Sequence, residues 1–532
     1  MASPAKRPIR IAANCGDDPV DVISGDWMSE GNMTGRAAIK ASPAGDAYEP
    51  TFLEALEPAL PYIAQHHIKV AVNAGASDTK LPHSAVTKMI QAKGLDLDVA
   101  WVSGDEVLST VKKMMTRENS PFENICTGEK LKEWKFMPIY AQAYLGGLGI
   151  AAAFAKGVDI VQRSNIDCLA NAFIAGHLVE CSSYVCGGNF TGFKYLENKG
   201  WDDIGYPIAE ISSSRDVTIT KSKNSGGEEI QGPWYFNSDV TAILDELYFE
   251  QLSADRVALR GVKSGLPPPT TKIGITAQAK FIKGGFQAEA HWFLVGLDID
   301  AKARMVGSQI RKLLEPYAHS FSKLTFTRND SSAEDPIDQN FSTIDFRVFA
   351  QALKIEDIMP KKFLRPCFDV IMEACPGATP NLDWRLGIPK VFYEYYVTPL
   401  PQVRIQHMVN LSSGESLIIP PAPKTKSWPQ CQPSQPRTRN GADLSEFGQT
   451  IRGPLGWIVH ARNGDKGSDC NVGFWVRFKD EWDWLRTLLS VEKIKELLAA
   501  EYNGNAVVSI SHAHTLSLWV CPSLSTLSIS LQ

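Results

Sequence analysis

The densest run of reactive side chains in this chain lies between His460 and Gly473, HARNGDKGSDCNVG. Gly464 and Asp465 are what a tight turn requires for backbone reasons alone. That requirement does not account for His460, Arg462, Lys466 and Asn471 in the same loop. Guanidinium and ammonium groups bind carboxylates and phosphates, and an imidazole works as acid or base near neutral pH. The competing reading is a salt-bridged hairpin that organises only its own fold. A second run, AGHLVECSSYVCGGNFTG, spans Ala175 to Gly192. On a helix His177 and Glu180 share one face, which suits a general acid/base pair. The Gly187-Gly188-Asn189 turn can present backbone N–H groups to an anion. A third run, TKSKNSGG, sets Lys221 and Lys223 beside a glycine turn. That pattern suits the phosphates of a nucleotide such as that of coenzyme A.

These residues need elements to hold them. Short apolar runs at Pro8–Ala13, Val20–Ser24, Ile68–Val72, Leu97–Val102 and Val158–Val161 read as strands. Helical periods over Phe52–Gln65 and Ser84–Ala92 alternate with them. This alternation predicts a mainly parallel sheet covered by helices. Ligands of such sheets bind beyond the carboxyl ends of the strands. There the text supplies Gly25-Asp26, with Glu30 nearby, then Asn73-Ala74-Gly75 and Gly104-Asp105-Glu106. Asp26 is read either as a catalytic carboxylate or as a helix cap; Asn73 and Asp105 are read as substrate contacts. A strand over Phe281–Asp300 and a helix over Lys302–Leu314 suggest a β-rich subdomain from about residue 212. Residues 411–450 read as a Pro/Ser-rich linker. A small α/β unit of the split βαβ kind is expected over 451–515, with an uncharged tail over 516–532.

At 532 residues the chain has room for roughly three or four domains, or one large and one small. It is 44% hydrophobic and 21% charged, enough to bury sizeable cores and unlike a disordered polyelectrolyte. A formal net charge of -5 argues against a basic nucleic-acid surface. Ten irregularly spaced cysteines without a CxxC argue against a zinc ribbon or thioredoxin-type motif, and no metal is expected. Neither GxxxxGK[ST] nor a GxGxxG after the first strand is present, so no nucleotide cofactor is expected. No apolar signal region or stretch of about 18 apolar residues occurs, so a cytoplasmic protein without a membrane partner is expected.

The segments PIRIAANCG, DVISGDWMSE, VNAGA, AYLGGLGI, AGHLVECSSYVCGGNFTGF, GYPIAEI, TKSKNSGG and HARNGDKGSDCNVGF resemble the acyclic terpene utilisation (AtuA) family, in its order. The resemblance implies a large N-terminal α/β domain over about 8–410 and a small C-terminal ferredoxin-like α+β domain. It further implies acyclic terpene catabolism, of the citronellol and geraniol type, through CoA thioesters. The expected reaction is that of a lyase or hydratase on a branched 3-hydroxy-acyl-CoA. The alternatives are a non-catalytic partner of an acyl-CoA carboxylase and a tailoring enzyme of a polyketide or terpenoid pathway. On the enzyme reading, His177, Glu180 and Asp26 are the catalytic candidates. Asn73, Asp105, Gly187, Gly188, Asn189, Lys221, Lys223, His460, Arg462, Asp465, Lys466 and Asn471 are the binding candidates. A homo-oligomer is compatible with this reading, and the only cofactor-like group expected is the CoA of the substrate. The chain departs from the family pattern after Cys15 and after Val161, where segments the family carries are absent, and again after Asn505.

Overall fold

The structure is a computed structural model describing residues 7–12, 20–41, 45–159, 166–180, 185–186, 191, 193, 204–212, 216–221, 234–253, 256–279, 285–329, 341–429, 443, 448–449, 451–466, 469–476, 478–499, 502, 504, 507–512 and 515–520. The chain divides into two compact units. One comprises Met1–Leu131, Ala141–Gly274 and Val397–Gln532, the other Lys132–Tyr140 and Ile275–Tyr396.

In the first unit the predicted strands form at Ile9–Ala12, Val22–Gly25 and Lys69–Val72 and pair in parallel, Ile11 opposite Val22 and Val22 opposite Lys69. Beyond Ile9–Ala12 the sheet continues antiparallel through Pro207–Ile211, Val217–Lys221, Arg256–Arg260 and Tyr248–Ser253. The predicted helix from Phe52 runs over Pro50–His66. Pro50 suits its first turn, where the missing N–H is no loss. The helix stops at His67, which turns left-handed at φ 53°. Its face Phe52, Leu56, Leu60 and Ile63 is buried with Val70, Val86 and Ile90, as spacings of three and four dictate. Helix Glu30–Lys40 begins where Ser29 Oγ accepts from the Asn32 N–H at 3.1 Å. Ser29→Ala is expected to cost about 1 kcal/mol, read as a lower urea midpoint at unchanged slope.

Two expected strands are realised differently. Leu97–Val102 forms only as Trp101–Ser103 and leaves the parallel sheet, pairing antiparallel with Met408–Asn410. Val158 and Asp159 form no strand. Asp159 instead accepts from Lys69 Nζ at 2.7 Å and from the Asp98 N–H at 2.9 Å, so its carboxylate ties two segments together. Ile160 and Val161 lie outside the described residues. Within the expected linker, Ser416–Ile418 pairs with Met408–Asn410.

The second unit is built on Gly285–Val295, which lies between Thr343–Ala352 and Ala378–Pro380, with Phe321–Asn329 on the far side of Thr343–Ala352. Period-two alternation buries Ala288, Ala290, Trp292 and Leu294 on one face. Val306, Ile310 and Leu314 of helix Ile299–Ala318 join the same core. The strand and helix expected in this stretch are both present.

Toward the C-terminus, His460–Lys466 and Asp469–Trp475 form a hairpin, followed by helices Lys479–Leu488 and Val491–Leu498 and strands Val507–His512 and Thr515–Val520. The four strands lie in the order first, second, fourth, third, and every pairing is antiparallel. A split βαβ unit needs a helix between the last two strands. Among the described residues no helix lies between Val507–His512 and Thr515–Val520, so the described residues do not establish the ferredoxin-like domain expected here. No described helix is long and apolar enough to cross a membrane.

Candidate active site

The strand-end turns meet in the first unit. Asn73 Nδ2 donates to Asp26 Oδ1 at 2.5 Å, and Asn73 Oδ1 accepts from the Trp27 N–H at 2.7 Å. Asp26 Oδ1 also accepts from the Met28 N–H, whereas Ser29 caps the helix. The side chain of Gln142 then links the second turn to the third, donating to Ala76 O at 2.6 Å and to Asp105 Oδ2 at 2.8 Å. Burial pushes the Asp105 carboxyl above its ordinary range, opposed by the Gln142 hydrogen bond. Gly104, at φ 109°, lies so close to Gln406 that a Cβ would stand 2.0 Å from the Gln406 carbonyl oxygen. That contact brings the third turn beside His407.

The segment AYLGGLGI carries the site further. It follows strand Phe136–Ala143 and opens helix Leu148–Ala155, whose first N–H groups need an acceptor. Asp239 supplies it from a distant loop. Its Oδ2 accepts from the Gly147 N–H at 2.6 Å and from the Leu148 N–H at 3.1 Å. Two glycines make room. A Cβ on Gly146 would stand 2.4 Å from Asp239 Oδ2, and one on Gly149 would stand 2.2 Å from His407 Nε2. Burial pushes the Asp239 carboxyl up to about 6, against the two N–H groups that favour its charge. Burial also holds the His407 imidazole down to about 4, and its buried Nε2 has no hydrogen-bond partner among the described residues. His407 is therefore neutral at physiological pH, and Asp239 titrates just below it.

Asp239 and His407 both line a cavity of about 30 Å³, roughly the volume of one water. Its lining also includes polar residues Tyr144, Ser238, Thr271 and Gln402 and apolar residues Ile405, Ile419, Pro420 and Pro421. Ser238 and Thr271 both donate to Tyr144 O, at 2.8 and 2.6 Å. The Tyr144 ring is held by Lys272 Nζ, 4.3 Å from its centroid, and its hydroxyl reaches Met33 Sδ. Residues 142–144 thus run without a break from the Asp105 turn to the cavity. Sequence reasoning singled out Asp26, Asn73 and Asp105 but missed Asp239, His407 and Gln402. The available signal was the glycine spacing of AYLGGLGI.

The remaining candidates lie elsewhere or outside the described residues. His177 and Glu180 share one face of helix Ile166–Glu180, with Nδ1 and Oε2 4.0 Å apart. The His177 ring rests on Tyr235, centroids 4.8 Å apart. The helix buries Ile174, Ala175 and Leu178 against Ala209, Val217 and Ala242. Gly187, Gly188, Asn189 and Lys223 lie outside the described residues; Lys221 ends strand Val217–Lys221. His460 is buried, its ring 5.8 Å from that of Trp475. Register places Arg462 opposite Gly473, Asn471 opposite Gly464 and Lys466 opposite Asp469. The hairpin and the second motif run do meet. Thr191 N donates to Ala461 O at 3.0 Å, and the Ala461 N–H donates to Thr191 Oγ1 at 2.9 Å. Among the described residues no group of three or more His, Cys, Asp or Glu side chains has the arrangement to hold a metal ion.

The sequence model of the acyclic terpene utilisation family protein AtuA matches residues 4–161 and 162–411. The two matched segments abut at Val161 and Gln162. No curated protein and no solved structure matches.

Proposed function

The chain belongs to the acyclic terpene utilisation family, and from that premise we propose that it is an enzyme acting on a branched 3-hydroxyacyl thioester, as a lyase or hydratase. The observation that carries this reading is that Asp239 and neutral His407 line one cavity, which at about 30 Å³ has to widen to admit the reacting carbons. Both reactions need a base and a group that steadies a developing enolate. In the lyase direction the Asp239 carboxylate takes the 3-hydroxyl proton. The C2–C3 bond breaks, the C3 oxygen becomes a carbonyl, and the electron pair moves onto the thioester as an enolate. Protonation at C2 then completes the reaction. As a hydratase run toward dehydration, the same carboxylate takes the C2 proton and hands it to the departing 3-hydroxyl, which leaves as water. In either case the neutral His407 imidazole would steady the enolate oxygen without transferring a proton. An imidazole held neutral acts in that way.

Asp26, Asn73 and Asp105 would receive polar groups of the acyl portion; the Gln142 hydrogen bonds to Ala76 O and Asp105 support grouping these turns with the Tyr144 end of the cavity. The CoA phosphates are assigned to Lys221, Lys223, Arg462 and Lys466. His460, Asp465, Asn471 and Gly187-Gly188-Asn189 would frame them. The two hydrogen bonds between Thr191 and Ala461 support that grouping. The helix pair His177 and Glu180 is the second candidate for the base.

The test is incubation of the full chain with a 3-hydroxy-3-methylacyl-CoA, with products separated by mass. Cleavage or dehydration, increasing as pH rises through about 6, is the expected result. Saturable thioester binding without turnover would overturn the enzyme reading and favour the carboxylase-partner role. Turnover of the free acid but not the thioester would favour a tailoring enzyme.

A further inference from the structure

The second unit holds a line of charged side chains that the proposed reaction does not use. Strand Gly285–Val295 buries Ala288, Ala290, Trp292 and Leu294 on one face, so Glu289 and His291 lie on the other. On the neighbouring strand Thr343–Ala352, Arg347 stands opposite His291 and Asp345 opposite Phe293. Asn329, at the end of Phe321–Asn329, stands opposite Asp345. Asn329 Nδ2 donates to Asp345 Oδ2 at 2.9 Å, and His291 Nδ1 lies 2.8 Å from Asp345 Oδ1. On the other side of the ring, His291 Nε2 lies 3.3 Å from Glu289 Oε2, which also accepts from Arg347 Nε at 2.5 Å. The His291 side chain is only 15% exposed.

A carboxylate accepts hydrogen bonds and cannot donate them, and a neutral imidazole has a single N–H. A neutral ring would therefore turn a bare nitrogen toward one of the two carboxylates. Both contacts are made only when both ring nitrogens carry hydrogen. Moving a proton onto a carboxyl group instead would take it from the stronger base to the weaker. We propose that His291 is a proton-held clasp: as imidazolium it donates Nδ1–H to Asp345 and Nε2–H to Glu289, and the loss of one proton opens one end. Closed, the clasp ties Gly285–Val295 to Thr343–Ala352 and, through Asn329, to Phe321–Asn329. Burial works against charge on Glu289, yet Arg347 and His291 hold its carboxyl below the ordinary range. The next charges on this face are Lys323, opposite Gln351, and Lys390, opposite Gln287. The strand on the other side, Ala378–Pro380, brings no charge, and the Asn381 N–H beyond it donates to His291 O at 2.8 Å. The folded chain holds a proton here that the unfolded chain gives up, so this contribution to stability is lost as pH rises.

The test reads the ring directly and does not depend on turnover. The full chain is labelled with heavy nitrogen at histidine for magnetic resonance, and the His291 signals are identified by their loss in His291→Gln. At about pH 7 both His291 ring nitrogens should carry hydrogen. In Asp345→Asn the amide can itself donate to Nδ1, so the ring should be neutral at the same pH, with Nδ1 bare. Urea unfolding gives a second readout. Raising the pH from about 7 to about 9 should lower the midpoint more in wild type than in His291→Gln. A bare ring nitrogen in the folded wild type at about pH 7, a ring still doubly protonated in Asp345→Asn, or equal loss of midpoint in wild type and His291→Gln would each overturn the clasp.

Discussion

Asp239→Asn is expected to lower turnover by about two to four orders of magnitude and to make the protein more stable at neutral pH. Asparagine keeps an oxygen for the Gly147 and Leu148 N–H groups, so the helix cap survives. It removes only the buried charge. The sign follows from linkage. An Asp carboxyl that titrates at 3.8 when unperturbed is pushed up to about 6 in the folded chain. Its contribution to stability is therefore complete below about pH 4 and is lost as pH rises through about 6. A displacement of that size corresponds to about 3 kcal/mol. His407→Gln is expected to do the reverse. The imidazole titrates at 6.5 when unperturbed and at about 4 in the fold. It contributes stability above about pH 6.5, which is lost as pH falls through about 4. In the intact protein the two slopes offset each other over this window. Each single variant uncovers the other residue: stability should rise with pH in Asp239→Asn and fall with pH in His407→Gln. Urea unfolding between about pH 4 and pH 7 reads this directly. Identical slopes in all three proteins would show that neither group is buried as described.

The second large effect concerns Gly149. A methyl group there would stand 2.2 Å from His407 Nε2, and overpacking of this kind costs about 1–3 kcal/mol. Gly149→Ala should therefore destabilise the chain although alanine is the better helix former. His407→Ala removes the obstacle, so the double variant should be more stable than the two single changes predict by addition. The coupling is expected at about 1–3 kcal/mol. Gly146→Ala offers the contrast. Its φ of 78° is strained for any side chain, so removing the Asp239 carboxylate should not rescue it fully. Thermal unfolding of the single and double variants checks both statements, and strict additivity at Gly149 would contradict the contact.

The parallel part of the fold is legible in the sequence because its signals are local. IRIA, VISG and KVAV are short apolar runs that end in Gly, Asp or Asn, and Phe52, Leu56, Leu60 and Ile63 keep a helical period. Turns that end neighbouring parallel strands must share an edge, which is why Asp26 and Asn73 meet. Leu97–Val102 misleads because an apolar run does not say which sheet it joins; its partner is about 300 residues away in Met408–Asn410. The cavity is hidden for the same reason. Asp239 and His407 sit in unremarkable sequence, and only Gly146 and Gly149, far from both, record their presence. In the C-terminal region the tail expected over 516–532 begins inside a strand, Thr515–Val520, which pairs with Val507–His512; a lack of charge does not say what such a segment pairs with.

Asp239 as the base is tested most directly by the pH dependence of kcat for a branched 3-hydroxyacyl-CoA, in wild type and in Asp239→Asn. The expected wild-type profile has a rate limb with a midpoint near 6, set by the Asp239 carboxylate, and the variant should lose nearly all turnover. Equal turnover in the two proteins, or a limb that persists without Asp239, would contradict this assignment and move the base to another group.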